Sequence, residues 1–317
     1  MILIADAVSE RCDAVLRDHA IDVVRAVGVP LPVLLAQLVD AEGMIVRSAV
    51  QVDRAVLDAA PGLRVIGRAG VGVDNVDVAA ATERGVVVVN TPDGNTISAC
   101  EHAVALLFAM LRRIPAAVHS LEAGEWKRSA FTGNELFGKT VGIVGVGRIG
   151  REVAARLAPF GVLLLGHDPV IGEEGVRAHG LVPVSFEELL ERADILSIHV
   201  PLLPATRGMI GAEALGRMKT GSWVVNCARG GVVDERALRS ALDSGQIVGA
   251  ALDVFEQEPP GHPHLLVGHP RVIATPHIAA STHEAQERVA VEVAMQVAAY
   301  LQGRPARGIV NPEAAFR

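Results

Sequence analysis

Short aliphatic runs alternate with amphipathic segments along most of the chain. Five apolar runs occur in the first 90 residues, at 2–5, 23–24, 44–46, 65–66 and 86–89. Helical patterns separate them near residues 9–19, 31–39, 52–60 and 76–83. Alternating strands and helices predict a parallel, doubly wound sheet, and runs such as Val86–Val89 predict strands that are buried on both faces. The first 90 residues should therefore form a small α/β domain.

The same alternation continues later in the chain. Residues 91–98 are rich in turn formers and predict a linker, and a helical stretch follows from Ser98 to Ala123 with a break expected at Pro115. Further strands are predicted at 141–144, 162–165, 182–184, 195–200, 222–226, 248–253 and 272–275. A last helix is expected over 282–302, with Ser281 and Glu284 as a capping box.

The most specific motif lies in the middle of the chain. The apolar run Val141–Val144 leads into Gly145-x-Gly147-x-x-Gly150, then a helical segment and a second run that ends at Asp168. This is the pattern of a dinucleotide-binding unit, in which the glycines allow a tight turn, close approach of a pyrophosphate and close helix packing. The charge of Asp168 favours NAD over NADP. A parallel-sheet turn without a ligand is the alternative.

The position of this motif predicts the domain organisation. Because the last helix follows the last strand, we expect it to return to the first domain, so that the nucleotide domain is inserted. The predicted fold class is α/β with two doubly wound parallel-sheet domains, a Rossmann NAD-binding domain within a flavodoxin-like substrate-binding domain. The substrate-binding domain would comprise residues 1–94 and 283–317, and the NAD-binding domain residues 95–282, with a cleft at the two crossings.

Composition limits the function classes. The chain has 317 residues, half of them hydrophobic, and its net charge of −7 without a long basic run argues against general nucleic-acid binding. The three cysteines, Cys12, Cys100 and Cys227, have no zinc-site spacing and an odd number, which predicts reduced thiols in a cytoplasmic protein without a metal. The longest apolar stretch, residues 103–111, is about half of what a membrane span requires.

Chemically capable side chains follow three of the later predicted strands. Arg229 follows the strand at 222–226, Asp253 and Glu258 follow the next one, and His277 follows the last. Parallel strands place such residues at one edge of the sheet. There an arginine can hold a carboxylate, a histidine can exchange a proton with a hydroxyl, and an adjacent carboxylate can orient the histidine. Asp253 could instead contact the nicotinamide amide or ribose. Taken singly, Arg229 has the alternative of a surface arginine in a turn, and a histidine in the position of His277 is more often structural than catalytic.

Six motifs in one order resemble the D-isomer-specific 2-hydroxyacid dehydrogenase family over essentially the whole chain. They are Gly67–Asp77, Asn90–Asn95, the glycine motif, Asn226–Gly231, Ala251–Phe255 with Glu258-Pro259, and Pro276-His277. The resemblance implies that Arg229, Glu258 and His277 are catalytic. It implies cofactor contacts from Val71, Gly145, Gly147, Arg148, Ile149, Gly150, Asp168, Val200, Cys227, Ala228, Asp253 and His277. Val71 departs from the family, which often has threonine there.

The resemblance also implies a substrate that carries a phosphate and a carboxylate. The residues expected to bind it are Arg47, Ser48, Arg68, Gly70, Asn95, Arg128 and Arg229. Arg128, beside Trp126, would reach the site of a partner subunit, so a homodimer or higher homo-oligomer is expected. These features favour the oxidation of D-3-phosphoglycerate to 3-phosphohydroxypyruvate, the first step of serine biosynthesis, with NAD as cofactor.

Two alternatives remain open at this point. One is another reductase of the same family, acting on glyoxylate, hydroxypyruvate or a similar 2-keto acid. The other is a non-enzymatic, NAD-sensing protein like the corepressors of the family, against which the complete arginine, glutamate and histidine set argues. Family members often carry a C-terminal regulatory domain; whether the natural chain has one is not decided by a sequence that ends at Arg317.

Overall fold

Two separate sheets contain the twelve β-strands of the computed structural model, which describes residues 1–316. The strands are β1 (Ile2–Ile4), β2 (Val23–Arg25), β3 (Gly43–Val46), β4 (Val65–Arg68), β5 (Val87–Asn90), β6 (Thr140–Val144), β7 (Leu163–His167), β8 (Val182–Pro183), β9 (Ile195–Ile198), β10 (Ser222–Asn226), β11 (Ile247–Leu252) and β12 (Val272–Ala274).

Twelve α-helices in these described residues connect and cover the strands. They are α1 (Arg11–Asp18), α2 (Leu31–Leu38), α3 (Arg54–Asp58), α4 (Val78–Glu83), α5 (Thr96–Leu111), α6 (Ile114–Glu122), α7 (Arg148–Leu157), α8 (Gly172–Ala178), α9 (Phe186–Arg192), α10 (Ala212–Arg217), α11 (Glu235–Ser244) and α12 (His283–Leu301).

The chain divides into two units. Unit 1 comprises Met1–Asn95 and Ser281–Arg317, and unit 2 comprises Thr96–Ala280. The domain boundaries expected from the sequence, after residues 94 and 282, differ from these by one and two residues. Arg317, the last residue of the predicted substrate-binding domain, lies outside the described residues.

Unit 1 contains a five-stranded sheet in the order β2-β1-β3-β4-β5, and every neighbouring pair of strands is parallel. This is the flavodoxin-like order. Helix α12 covers one face of it, with Val289, Val293 and Val297 in the same buried cluster as Ile2 and Ile4 of β1. A Cβ on Gly67 would lie 2.7 Å from the side chain of Val293, so the glycine in β4 allows the helix to approach the strand closely. The last helix therefore returns to the first part of the chain, as its sequence position predicts.

Unit 2 contains a seven-stranded parallel sheet in the order β12-β11-β10-β9-β6-β7-β8. The chain runs outward from β6 through β7 to β8, and then returns to the other side of β6 with β9. The point between β6 and β9 is the topological switch point, outside which doubly wound sheets bind their ligands. The predicted fold class, α/β with two doubly wound parallel sheets, is confirmed.

Three local predictions were wrong. Helix α5 begins at Thr96, inside the predicted linker. The following break falls at Arg112 and Arg113, where Arg113 has a left-handed φ of 54°, and Pro115 lies in the first turn of α6, where its missing N–H needs no partner. The side chain that caps α12 is Thr282, which accepts from the N–H of Ala285; Ser281 is not the N-cap, so the predicted capping box of Ser281 and Glu284 does not form.

No individual helix of residues 1–316 combines the length and the apolar character needed to cross a membrane; α5 and α6 meet that test only as a pair, across a bend of 63°.

Candidate active site

The carboxyl edge of the unit 2 sheet brings most of the predicted site residues to one side of the unit. Since all seven strands are parallel, the segments that follow β6, β7, β9, β10, β11 and β12 leave the sheet at this edge. They contain, in this order, the glycine motif, Asp168, Val200, Arg229, Glu258 and His277.

The glycine loop shows three different reasons for glycine. Gly145 has φ of 87°, and a Cβ there would lie 2.8 Å from the carbonyl oxygen of His199. A Cβ on Gly150 would lie 2.0 Å from the carbonyl oxygen of Gly145, so the start of α7 could not approach the loop. Gly147, at the N-cap of α7, has no protein atom within 4 Å of that position. The protein therefore leaves room at Gly147, beside the free N–H groups of the helix, which fits a dinucleotide phosphate.

Asp168 follows β7 and is tied to the same loop. Its Oδ2 accepts from the N–H of Val146 at 2.8 Å, and its Oδ1 accepts from the N–H of Val170 at 2.9 Å. These bonds fix the carboxylate at the end of the strand, and an ionised carboxylate has acceptor capacity for further donors. Arg148, at the first position of α7, is exposed, whereas Ile149 is half-buried.

Two glycine-to-alanine substitutions in this loop distinguish an effect on ligand binding from an effect on stability. Gly147→Ala is expected to leave the melting temperature unchanged, because the new methyl group meets no protein atom, and to weaken NADH binding by about tenfold or more, because it occupies the space in front of the helix. Gly150→Ala is expected to lower the melting temperature, since its methyl group meets backbone. Thermal unfolding and NADH fluorescence titration measure both. A Gly147→Ala protein with wild-type NADH affinity would contradict the assignment of this loop.

The turn that carries Arg229 is held by Asn226, the last residue of β10. The Asn226 side chain is buried, accepts from the N–H of Ala228 at 3.0 Å and donates to the carbonyl oxygen of Arg229 at 3.0 Å. The half-buried Arg229 side chain donates from Nη1 to the carbonyl oxygen of Ala228 at 2.7 Å. Next in the chain, a Cβ on Gly230 would lie 1.7 Å from the carbonyl oxygen of Phe255, so this turn lies directly against the segment that follows β11.

The side chains of Glu258 and His277 lie within ion-pairing distance of each other. The Nδ1 atom of His277 lies 2.5 Å from Oε2 of Glu258, whose Oε1 accepts from the N–H of Phe255 at 3.1 Å. Burial raises the pKa of Glu258, but the hydrogen bond and the charge of His277 outweigh burial, and the pKa lies below its usual value. Glu258 is therefore ionised at neutral pH. With Nδ1 engaged, Nε2 is the nitrogen that His277, an exposed residue, offers to a ligand.

The backbone of His277 is unusual. Its φ of 52° is left-handed, a conformation that few non-glycine residues adopt unless surrounding bonds enforce it. Its N–H donates to the carbonyl oxygen of Asp253 at 2.9 Å, and Pro276 precedes it. The imidazole is thus fixed both through its backbone and through Glu258.

Asp253 is the predicted cofactor contact whose side chain is completely buried, at 0% exposure. Its two carboxylate oxygens accept from Thr275 Oγ1, from the N–H groups of Ile278 and Ala279, and from Nε2 of His102. Burial raises the pKa of Asp253, but these bonds outweigh burial and the pKa lies below its usual value. The structure thus shows Asp253 holding the segment around His277, and its contact with the cofactor stays a prediction.

Two other half-buried side chains, His199 and Cys227, follow strands at this edge of the sheet. Burial lowers the pKa of His199 to about 4, so its ring is neutral near pH 7; it contacts the hydroxyl of Ser197 at 2.8 Å. Burial and the charge of Asp253 raise the pKa of Cys227 above its ordinary value, so it is a thiol and not a thiolate. Of the predicted cofactor contacts in this region, Val200, Cys227 and Ala228 are half-buried.

The predicted substrate residues of unit 1 follow its strands in the same way. Arg47 and Ser48 follow β3, where the buried carboxylate of Asp6 accepts from the N–H of Arg47 at 2.7 Å and from those of Ala49 and Val50. Asp6, which the sequence did not single out, thus shapes this loop. The Arg47 side chain is half-buried and that of Ser48 is exposed.

Arg68 and Gly70 form a second such position, at the end of β4. Gly70 has φ of 148°, and a Cβ on it would lie 1.7 Å from Nη1 of Arg68, so the guanidinium lies across the glycine. The carbonyl oxygen of Val71 accepts from Nδ2 of Asn90 at 2.6 Å, and half-buried Asn95 ends this part of the chain.

Arg128 is the first residue of a short 3₁₀ helix of unit 2 over Arg128–Phe131. It is exposed, and Trp126 beside it is 78% exposed. Within residues 1–316, no group of three or more histidine, cysteine, aspartate or glutamate side chains has the arrangement of a metal site.

Comparison with known proteins agrees with this geometry. Residues 104–279 match the family model described as D-isomer specific 2-hydroxyacid dehydrogenase, NAD binding domain. Over 313 residues the chain is 48% identical to D-3-phosphoglycerate dehydrogenase of Rattus norvegicus, an alignment that covers 99% of this chain and 58% of that protein. The chain therefore spans little more than half the length of such curated relatives.

Solved structures match over their full length. An NADPH-dependent glyoxylate/hydroxypyruvate reductase from Sinorhizobium meliloti, in complex with citrate, superposes with a TM-score of 0.88 at 33% identity, covering 100% of this chain and 99% of that one. D-Lactate dehydrogenase from Aquifex aeolicus, complexed with NAD and lactic acid, gives 0.85 at 28% identity, covering 98% and 99%. With the family model matching more than half of its residues, the chain belongs to the D-isomer specific 2-hydroxyacid dehydrogenase family and contains its NAD-binding domain.

Proposed function

We propose that the protein catalyses the NAD-dependent oxidation of D-3-phosphoglycerate to 3-phosphohydroxypyruvate. The observation that carries the proposal is the pairing of His277 with ionised Glu258, at the same sheet edge as Arg229 and the glycine loop. Relatives with 44–48% identity over 98–99% of this chain are named D-3-phosphoglycerate dehydrogenase, which supports this substrate over others in the family.

In this proposal, three side chains of unit 2 act on the substrate. Arg229 binds the carboxylate with parallel N–H bonds and polarises the adjacent oxygen. His277 accepts the hydroxyl proton at Nε2 during oxidation and returns it during reduction. Glu258 keeps the ring oriented through Nδ1 and stabilises its protonated form. Bound NAD supplies the hydride acceptor.

The cofactor is proposed to bind at the glycine loop, with its pyrophosphate at Gly147 and the N-terminus of α7. Asp168 would accept from the adenosine ribose hydroxyls and repel a 2′-phosphate, which favours NAD over NADP. The further contacts proposed from the sequence are Val71, Arg148, Ile149, Val200, Cys227 and Ala228.

We propose that unit 1 is the substrate-binding domain and that its residues bind the phosphate of the substrate. Arg47, Ser48, Arg68 and Asn95 are proposed to bind it, with Gly70 providing the room that the Arg68 guanidinium occupies. A substrate with both a phosphate and a carboxylate needs arginines in addition to Arg229. Glyoxylate and lactate carry no phosphate and would not need these additional arginines.

Removing one proposed phosphate contact should therefore lower the kcat/KM for a phosphorylated substrate and leave cofactor binding unchanged. Arg47→Ala is expected to lower kcat/KM for 3-phosphohydroxypyruvate by about 10- to 100-fold, the value of a hydrogen bond to a charged group, and to leave the Kd for NADH unchanged. Arg54→Ala, which removes an exposed arginine paired with Glu83 on the same unit, serves as control and should change neither. Equal kcat/KM in wild type and Arg47→Ala would refute the phosphate assignment.

A panel of 2-keto acids assayed with NADH and NADPH tests the proposed activity. 3-Phosphohydroxypyruvate with NADH should give the highest kcat/KM. A preference for glyoxylate or hydroxypyruvate would favour the second candidate, which the similarity to the Sinorhizobium meliloti reductase supports. NADH binding without turnover of any member would refute both and favour an NAD-sensing role.

We also propose that the protein forms a homodimer through unit 2. The support is an exposed apolar surface on α6 and the segment after it, formed by Ile114, Val118, Leu121 and Trp126. Arg128, two residues after Trp126, would then reach the partner's site. Sedimentation velocity should give the mass of a dimer, and a single species of monomer mass would reject the proposal.

A further inference from the structure

A half-buried histidine, His102, contacts the catalytic segment and has no part in the chemistry proposed above. His102 is on α5, between buried Ala99 and Ala103 and with Leu106 one turn later, and its side chain is only 17% exposed. A polar ring in such surroundings requires hydrogen-bond partners.

Its partners are two groups at the base of the His277 segment. Nε2 of His102 lies 3.2 Å from Oδ1 of Asp253 and 3.2 Å from Oγ1 of Thr275. The Thr275 hydroxyl donates its proton to Asp253 at 2.6 Å, so towards His102 its oxygen can only accept, as can the ionised carboxylate. His102 must therefore carry a proton on Nε2 and act as the donor.

Asp253 transmits this contact to His277. Its carbonyl oxygen accepts from the N–H of His277, and its carboxylate accepts from the N–H groups of Ile278 and Ala279, the next two residues. These bonds hold the segment in which His277 adopts its left-handed φ of 52°. Among the donors described for this carboxylate in residues 1–316, His102 alone comes from outside the segment 275–279.

The contact has a clear electrostatic reason. The Asp253 carboxylate has no solvent exposure, so its burial costs free energy unless its lone pairs all accept hydrogen bonds. If one donor is removed, that cost of desolvation is no longer compensated. Without His102, the segment 275–279 would have to move so that Asp253 regains solvent or another donor, and His277 moves with it. A displacement of about 1 Å at a reacting group can lower turnover about 100-fold.

We propose that His102 is a positioning residue, which acts through Asp253 and Thr275 to hold the His277 imidazole in its catalytic orientation. The proposal rests on the proposed function for its kinetic consequence, but its structural consequence can be measured independently of activity.

The kinetic test compares a variant that removes the donor with one that retains it. His102→Leu is expected to lower kcat about 10- to 100-fold while the Kd for NADH stays within about twofold of wild type. His102→Gln, whose amide nitrogen reaches about the position of Nε2, should recover most of kcat. His179→Leu, an exposed histidine after α8, is the matched control and should behave as wild type. A merely structural role would lower stability and NADH binding together.

The structural test is amide hydrogen exchange, which needs no turnover. In His102→Leu, exchange should become faster in peptides covering residues 275–280 and stay unchanged in those covering the glycine loop at 141–150. Thr275→Val, which removes the other side-chain donor to Asp253, should give the same pattern, and it replaces His102→Leu if that variant does not fold.

Three results would overturn the inference: wild-type kcat in His102→Leu, equal impairment of His102→Leu and His102→Gln, or equal loss of protection in both segments. If the wild type itself turns over no 2-keto acid, the proposed function fails, and the exchange pattern still decides whether His102 positions His277.

Discussion

Replacement of His277 with Gln is expected to lower kcat by about 10²- to 10⁴-fold in both directions, the contribution of a positioned general acid–base. Glutamine retains a polar side chain of similar length, but it can neither accept nor deliver a proton near neutral pH. The effect should appear in kcat, because the proton moves only as the reaction proceeds.

Binding measurements separate this loss from a folding defect. His277→Gln should bind NADH within a few-fold of wild type by fluorescence titration and unfold at the same temperature. His179→Gln, at an exposed position, is the control and should retain full activity. The kcat of Glu258→Gln should lie between those of His277→Gln and His179→Gln. In Glu258→Gln the imidazole keeps its hydrogen-bonding partner but loses the charge that stabilises its protonated form. A fully active His277→Gln protein would refute the catalytic assignment.

Loss of the Arg229 guanidinium is the second large effect. Arg229→Gln is expected to lower kcat/KM by about 30-fold to several thousand-fold, corresponding to about 2–5 kcal/mol for removing one partner of a desolvated charge pair. Arg229→Lys should recover little of this, because an ammonium cannot form two parallel hydrogen bonds with a carboxylate.

The controls for Arg229 follow from its surroundings. The turn is held by Asn226 and by the contact of Gly230 with the Phe255 carbonyl, so the backbone should keep its conformation without the guanidinium. Arg177→Gln, at an exposed arginine that lies 3.7 Å from Glu173 on α8, is the control and should leave kcat/KM unchanged. If Arg229→Gln changed only the Kd for NADH, its role would be in cofactor binding and not in holding the substrate carboxylate.

The pattern of the chain was sufficient to place Arg229, Glu258 and His277 at one edge of the sheet, because each follows a strand of a sheet expected to be parallel. In a parallel sheet, the carboxyl ends of all strands lie at the edge where ligands bind. A residue just after a strand can therefore be placed at that edge from its sequence position alone. The same logic located the glycine loop, Asp168 and, in unit 1, Arg47 and Arg68.

The supporting roles of His102, Asp253 and Asp6 were not predicted, because they depend on contacts between distant parts of the chain. His102 and Asp253 are 151 positions apart, and no local pattern joins them. The one available signal was a histidine within an otherwise apolar helical stretch. Asp6 follows β1, and the structure shows that its carboxylate accepts from three backbone N–H groups of the Arg47 loop.

Helix termini were also misplaced, for local physical reasons. Ser281 and Thr282 are both good N-caps, and the sequence does not decide which hydroxyl accepts the first free N–H. Pro115 was read as a breaker, yet proline is favoured in the first helical turn, so it marks the start of α6 and not the end of α5.

The most direct test of the account is the reduction of 3-phosphohydroxypyruvate by NADH, with the configuration of the product determined. Wild-type protein should consume NADH and form the D isomer of 3-phosphoglycerate, and NADPH should serve poorly. Formation of the L isomer, or NADH binding without consumption under the same conditions, would contradict the proposal that His277, Glu258 and Arg229 together act on this substrate.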